Sequence, residues 1–222
     1  MRQLFNIGTL NIFTDASVKQ KNNKEYVSCA GCVCVITKED GNTEIIEQQY
    51  SVIDNATNNK GELCAVYMGV MLAIKYRYQF NRINIISDSQ FSIYGLTKWI
   101  YNWRNNIKNN NYMSSSGEVA NQDLFKLIIN NIILYKLRVN LYHQKGHANT
   151  SDKLSKAKQV FYKSNGILLD DFELRTICYY NDIVDKYSRY KLNEIPLDIK
   201  IPIQYNANFN TSIYKNLINN DR

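Results

Sequence analysis

Two prolines, nine glycines, two histidines and two tryptophans are few for a chain of 222 residues. The shortage of glycine excludes collagen-like and glycine-rich repeats, and the two prolines exclude a proline-rich scaffold. Both prolines, Pro196 and Pro202, fall near the C-terminal end, so none interrupts a helix or strand before them. No apolar stretch approaches the roughly 20 residues that span a bilayer. The start, Met1-Arg2-Gln3-Leu4-Phe5-Asn6, lacks an apolar signal region and a cleavage site, so a cytoplasmic protein is expected (the host cytoplasm if it is viral). No membrane partner is expected.

Cysteine is present five times but without a zinc pattern. Cys29, Cys32 and Cys34 cluster in one apolar segment, while Cys64 and Cys178 stand far away. There is no second CxxC and no nearby histidine, so a tetrahedral zinc site is not indicated. Reduced thiols packed as small apolar residues are the expected state. The net charge is +7. It suits a nucleic-acid partner or, equally simply, a solvated basic surface, because the lysines and arginines are scattered.

Against that positive balance, four acidic residues stand in distinctive settings. Asp15 ends the apolar run Leu10-Asn11-Ile12-Phe13-Thr14, and Asp88 ends Ile83-Asn84-Ile85-Ile86-Ser87. Glu62 follows Thr57-Asn58-Asn59-Lys60-Gly61, where it could simply favour a helix dipole. Asp185 closes Asn181-Asp182-Ile183-Val184. Carboxylates at strand ends and helix starts can converge in an α/β fold, and converging carboxylates suit hard divalent cations.

The patterning predicts strands over 8–15, 26–37 and 43–52, the last two joined by the turn Glu39-Asp40-Gly41-Asn42. A helix is predicted over 60–78, with Leu63, Val66, Val70, Met71, Ile74 and Tyr78 as its buried face. A strand over 82–87, a helix over 89–101, a polar loop over 105–117, a helix over 121–135 and a strand over 138–143 follow. Residues 151–165 are lysine-rich and less regular, 169–190 read as helix, and the end from Leu192 reads as an extended tail. This order gives a mixed sheet flanked by helices.

The motifs resemble those of the type 1 ribonuclease H family. Thr14-Asp15-Ala16-Ser17 is similar to its first-strand motif, and Thr57-Asn58-Asn59-Lys60-Gly61-Glu62-Leu63 to its TNN-x-x-E-L segment. Asp88-Ser89-Gln90, with Gly95, Trp99 and Asn102-Trp103 behind it, resembles the DSQ helix. Val119-Ala120-Asn121-Gln122-Asp123-Leu124, Lys145-Gly146-His147-Ala148 and Asn181-Asp182-Ile183-Val184-Asp185 resemble three later motifs, in the same order.

The resemblance implies an α/β ribonuclease H-like fold with a mixed five-stranded sheet flanked by helices. It implies a catalytic domain over 1–191 and a tail over 192–222. The activity it implies is hydrolysis of the RNA strand of RNA–DNA hybrids, by a monomer. Two Mg2+ ions about 4 Å apart, or Mn2+ in their place, would assist. Asp15 would bridge both ions, Glu62 and Asp88 would hold one, and Asp185 the other. His147 would assist proton transfer or product release. Ser17, Asn58, Asn59, Gln90 and Asn121 would contact the hybrid, Thr57 and Asn102 a DNA phosphate, and Trp99 a deoxyribose. For Thr57 and Trp99, a helix cap and core packing are equally open.

The sequence departs from the family in three places. The loop Val18–Lys24 lacks Asn-Pro-Gly, and Ala16 replaces a common glycine. The usual basic protrusion is mostly amide in Arg104-Asn105-Asn106-Ile107-Lys108. Between His147 and Asp185 lie 37 residues where the family has a short loop. One reading is an insertion over about 149–179, whose Lys153, Lys156, Lys158 and Lys163 replace the protrusion. The other makes Asp152 the fourth carboxylate and everything after it an extension.

Overall fold

The structure is a computed structural model that describes residues 3–21, 25–147 and 151–194, apart from the side chains of 151 and 152. Its centre is a five-stranded sheet built from β1 (Thr9–Gln20), β2 (Tyr26–Thr37), β3 (Thr43–Asp54), β4 (Arg82–Ser87) and β8 (Val139–His143). The order is β3-β2-β1-β4-β8. β1–β2 and β2–β3 are antiparallel, whereas β4 is parallel to β1 and β8 to β4. Both β1 and β4 therefore run towards the same edge, where Asp15 and Asp88 emerge.

Strand alternation divides the core into two layers. Leu10 and Ile12 face the layer made with α1 (Asn58–Tyr76), the stretch from α2 (Gln90–Tyr94) to α3 (Ile100–Arg104), and α4 (Gln122–Leu134). Phe13, Val33, Val35 and Ile86 face the opposite layer, made with α5 (Ser151–Asn165) and α6 (Asp171–Asn193). Three asparagines cross the sheet in register, Asn11 beside Asn84 and Asn84 beside Asn140. Asn140 Nδ2 donates to Asn84 Oδ1 at 2.9 Å, Asn84 Nδ2 to Asn11 Oδ1 at 2.8 Å, and Asn11 Nδ2 to the Leu4 carbonyl at 3.0 Å. A polar ladder thus runs through a hydrophobic sheet with its inner amides paired.

The structure corrects several sequence expectations. β1 continues past Asp15 to Gln20, because Ser17 through Gln20 pair with Cys29 through Tyr26. The face of α1 is wider than one stripe. Ala65, Tyr67, Met68, Leu72 and Ala73 are buried too, and Tyr78 lies beyond the helix and is exposed. The helix from residue 89 is three pieces, α2 (Gln90–Tyr94), a π-helical turn over Gly95–Trp99, and α3 (Ile100–Arg104). Gly95 is needed there, since a Cβ would lie 2.3 Å from Phe125 Cε1.

The polar loop over 105–117 is instead three short antiparallel strands, β5 (Ile107–Lys108), β6 (Asn111–Ser114) and β7 (Gly117–Glu118). Asn109 and Asn110 both have positive φ, at 51° and 61°, as a tight hairpin turn requires. Residues 151–165 form a regular helix, with Leu154, Ala157 and Phe161 turned to the core. Capping explains where α6 begins, since the Asp170 carboxylate accepts from Glu173 N at 2.8 Å. Glu173 is itself buried and accepts from the main-chain N–H groups of Gln3 and Leu4 at 2.6 and 2.7 Å. Residues 195–222, which include most of the expected tail, lie outside the described residues. No helix among the described residues is long and apolar enough to cross a membrane.

Candidate functional site

β1, α1 and β4 bring three carboxylates together at one sheet edge. Asp15, Glu62 and Asp88 each present an oxygen, and all three oxygens lie within 4.8 Å of one another. Asp15 and Glu62 are only 5% and 6% exposed. Glu62 sits in the second turn of α1 rather than the first, because the helix already starts at Asn58. Its burial rules out a surface residue that merely favours the helix dipole.

The electrostatics are those of crowded acids. Burial, and then the charge of Asp88, pushes the Asp15 carboxyl up to about 8. The Ala16 N–H, 2.8 Å from Asp15 Oδ1, opposes that rise. Burial and the neighbouring Asp15 raise Glu62 well above the ordinary carboxylate range. Burial raises Asp88 as well, partly offset by the Asn181 side chain, whose Nδ2 lies 3.3 Å from Asp88 Oδ2. Glu62 Oε2 is buried without a hydrogen-bond partner. Such a cluster is costly when charged and uncompensated.

Asp185, in α6, lines the same cleft as these three residues. Its carboxylate is held by Arg189 Nη2 at 2.9 and 3.0 Å. His147, Asn58, Asn59 and Gln90 line the cleft too. His147 has a positive φ of 51° directly after Gly146. A Cβ on Gly146 would stand 2.3 Å from Asp88 Oδ2, so that position keeps the loop close to the carboxylate.

Other expected residues lie elsewhere. Trp99 and Asn102 line a neighbouring groove with Asn106 and Ser114–Ser116. Trp99 is 37% exposed and packs on Phe91, Tyr94 and Trp103. Asn121 lines a third groove with Gln122 and Lys126. Thr57 caps α1 through a 3.4 Å contact from Lys60 N. Ser17 Oγ is 2.8 Å from Ser188 Oγ, which ties β1 to α6. Asp152 starts the first turn of α5, and its side chain is outside the described part of the structure.

Three participants escaped the sequence reading as site residues, namely Asn181, Gly146 and Arg189. The first two stand inside motifs already named, but only packing shows that both touch Asp88. Arg189 carried a weak signal, being four residues after Asp185 on one helix.

Comparison with known proteins gives a consistent result. The family model described as RNase H matches residues 8–159. The chain is 33% identical over 140 residues to a ribonuclease H of Haemophilus influenzae (strain 86-028NP), covering 63% of this chain and 79% of that protein. It is 41% identical over 93 residues to the ribonuclease HI of H. influenzae strain Rd, covering 41% of this chain and 54% of that protein. It is 30% identical over 155 residues to a ribonuclease H of Actinobacillus pleuropneumoniae serotype 5b, covering 67% of this chain and 88% of that protein. Among solved structures, the PFV RNase H domain is similar with a TM-score of 0.53 at 18% identity, covering 69% of this chain and 92% of that one. LC9-RNase H1 is similar with a TM-score of 0.50 at 18% identity, covering 75% and 76%. At these identities the structures show the fold.

Proposed function

This chain belongs to the family of ribonuclease H enzymes, and from that premise we propose that it hydrolyses the RNA strand of RNA–DNA hybrids as a monomer, with two divalent cations. The observation that carries the reading is the approach of three carboxylate oxygens, from buried Asp15 and Glu62 and half-buried Asp88, to within 4.8 Å of one another. The donors are all hard oxygens, and one buried oxygen, Glu62 Oε2, has no protein partner. That set fits Mg2+, with Mn2+ of the same preference. Asp15, Glu62, Asp88 and Asp185 would hold the ions. When bound, they supply Lewis-acid stabilisation of the phosphate and activation of water.

The chain's own residues do the rest. Asn58, Asn59 and Gln90 flank the carboxylates. Amides both donate and accept, which suits 2′-hydroxyls and base edges in the hybrid's minor groove. Thr57 and Asn102 would serve a DNA phosphate and Trp99 a deoxyribose, with Asn121 a further minor-groove contact and Ser17 a further contact to the hybrid, as the family resemblance implies. His147, on its loop beside Asp88, can hold or release a proton near the reacting phosphate.

Two residues compete for the fourth carboxylate. The family match ends at residue 159, so it contains Asp152 and stops before Asp185. We favour Asp185, because its side chain lines the cleft with the other three. The test is cleavage of a labelled hybrid with Mg2+ by the unmodified protein and by Asp15→Asn, Asp185→Asn and Asp152→Asn. RNA-strand cleavage lost in the first two variants and kept in the third is the expected pattern. Activity kept in Asp185→Asn but lost in Asp152→Asn would transfer the role. Tight hybrid binding without cleavage in either metal would show a binding protein instead.

The lysines of α5 extend the proposal. Lys153, Lys156 and Lys163 are exposed, whereas Lys158 is paired with Asp171 at 3.1 Å. If the three exposed ammonium groups meet hybrid phosphates, replacing all three with Ala lowers the slope of log affinity against log salt by roughly 1 for each phosphate no longer neutralised. An unchanged slope refutes that interaction.

A further inference from the structure

α6 carries a counterion for Asp185 one turn after it. A single nitrogen of Arg189, Nη2, donates to both Asp185 oxygens, at 2.9 Å to Oδ1 and 3.0 Å to Oδ2. The neighbouring pair on the helix, Lys186 with Asp182, uses one carboxylate oxygen. The Asp185 side chain is 14% exposed and lines the cleft of the clustered acids, whereas that of Arg189 is 60% exposed. Yet Asp185 is not one of the three residues whose oxygens lie within 4.8 Å of one another.

The main chain at Asp185 is firmly seated. Ser188, fully buried, donates its hydroxyl to the Asp185 carbonyl at 3.0 Å and lies 2.8 Å from Ser17 Oγ. The same turn rests on Gly31, the residue of β2 directly opposite Asp15. A Cβ at Gly31 would stand 3.2 Å from Ser188 Cβ and 3.5 Å from Val184 Cγ2. Packing this close leaves the helix little room to slide towards the other carboxylates. Any rearrangement of Asp185 towards them falls to its side chain, whose two oxygens are both engaged by Arg189.

The charges give that engagement a consequence. Burial first and Asp88 second raise the Asp15 carboxyl, and the charge of Asp185 adds to the rise. In the metal-free chain the Arg189 guanidinium offsets this fourth negative charge. A divalent cation brings the same compensation and needs the same oxygens. Guanidinium and cation are therefore rivals for one carboxylate.

We propose that Arg189 is a positioning residue that competes with a divalent cation for the Asp185 carboxylate and so lowers the affinity of the site for that ion. This rests on the carboxylate cluster being the metal site, with Asp185 its fourth member.

The test is a Mn2+ titration of the full chain at pH 8 without nucleic acid, the free ion being counted by electron paramagnetic resonance. Arg189 is mostly exposed and Gln is a good helix former, so Arg189→Gln should fold. Its Mn2+ affinity should be about two- to fivefold higher than that of the unmodified protein, the worth of an exposed ion pair. Arg189→Lys, which keeps the charge, should lie near the unmodified protein. In an Asp185→Asn background Arg189→Gln should change nothing, because the contested carboxylate is gone. Equal affinity in the unmodified protein and Arg189→Gln overturns the proposal and leaves the assigned function standing. A gain that persists with Asp185→Asn also overturns it, since that is a general effect of charge near the cleft. Failure of the unmodified protein to take up Mn2+ would instead count against the carboxylate cluster as a metal site, and this proposal would fall with it.

Discussion

With divalent cations chelated, the melting temperature of this protein is expected to fall as pH rises from about 4 to about 8, and Asp15→Asn should remove much of the fall. The sign follows from the protons. Asp15 is pushed from 3.8 to about 8, by burial first and by Asp88 second. Below the lower value both folded and unfolded chains hold the proton. Between the two values the folded chain keeps it and the unfolded chain releases it, so stability declines with rising pH. Above the upper value both are ionised and the dependence ends. Glu62 and Asp88 are shifted the same way and steepen the decline.

An amide at position 15 carries no charge to bury, so at pH 8 the metal-free variant should melt several degrees higher than the unmodified protein, the shift expected of roughly 1–3 kcal/mol in a domain this size. The same variant should be without hybrid cleavage. Added Mg2+ should raise the melting temperature of the unmodified protein at pH 8 and do little for Asp15→Asn. A melting temperature that climbs with pH in chelator, or an Asn variant less stable than its parent at pH 8, would sink this explanation. Stability exchanged for charge at one residue is the pattern of a functional site rather than of a structural carboxylate.

Asn84→Leu should be among the most damaging substitutions outside the site. Asn84 is fully buried and is the middle of the three-strand amide ladder. Leucine there leaves Asn11 Oδ1 without its donor and Asn140 Nδ2 without its acceptor. Asn11 is fully buried and cannot turn to water, whereas Asn140 is half-buried and can. Stranding one buried group and half-stranding another costs about 2–4 kcal/mol. In a urea titration the midpoint should drop with little change in slope. Asn140→Leu, which strands the buried Asn84 Oδ1 and leaves the Asn84–Asn11 bond intact, should cost somewhat less. A leucine variant as stable as the parent would show that the ladder adds nothing that apolar packing cannot replace.

Much of this was legible in the chain. Apolar runs ending in Asp15 and Asp88 marked two parallel strands reaching one edge, and the period of Leu63, Val66, Val70 and Ile74 marked α1. Local turn chemistry was read well at Glu39–Asn42, where Gly41 has a φ of 82°, and missed at Asn109-Asn110, where two asparagines do the work of glycine. The helical nature of 151–165 was hidden because its lysines drew attention from Leu154, Ala157 and Phe161. Least legible were contacts between distant segments. That Asn181 reaches Asp88, or that Ser164 reaches His143, depends on how α5 and α6 lie on the sheet, and no local pattern encodes that.

One further consequence concerns synthesis. The buried Glu173 carboxylate gathers the N–H groups of Gln3 and Leu4, and α6 covers the strand that carries Asp15. The stretch leading into β1 is thus completed by a helix made long after it. On the ribosome, β1 to β8 can emerge and pair while one face of their sheet still lacks α6. Phe13, Val33 and Ile86 would stand uncovered until residues beyond 184 leave the exit tunnel. A stalled or truncated chain would therefore expose an apolar sheet face and lack Asp185. The order of synthesis withholds the full set of four carboxylates until the helix that closes the sheet has been made.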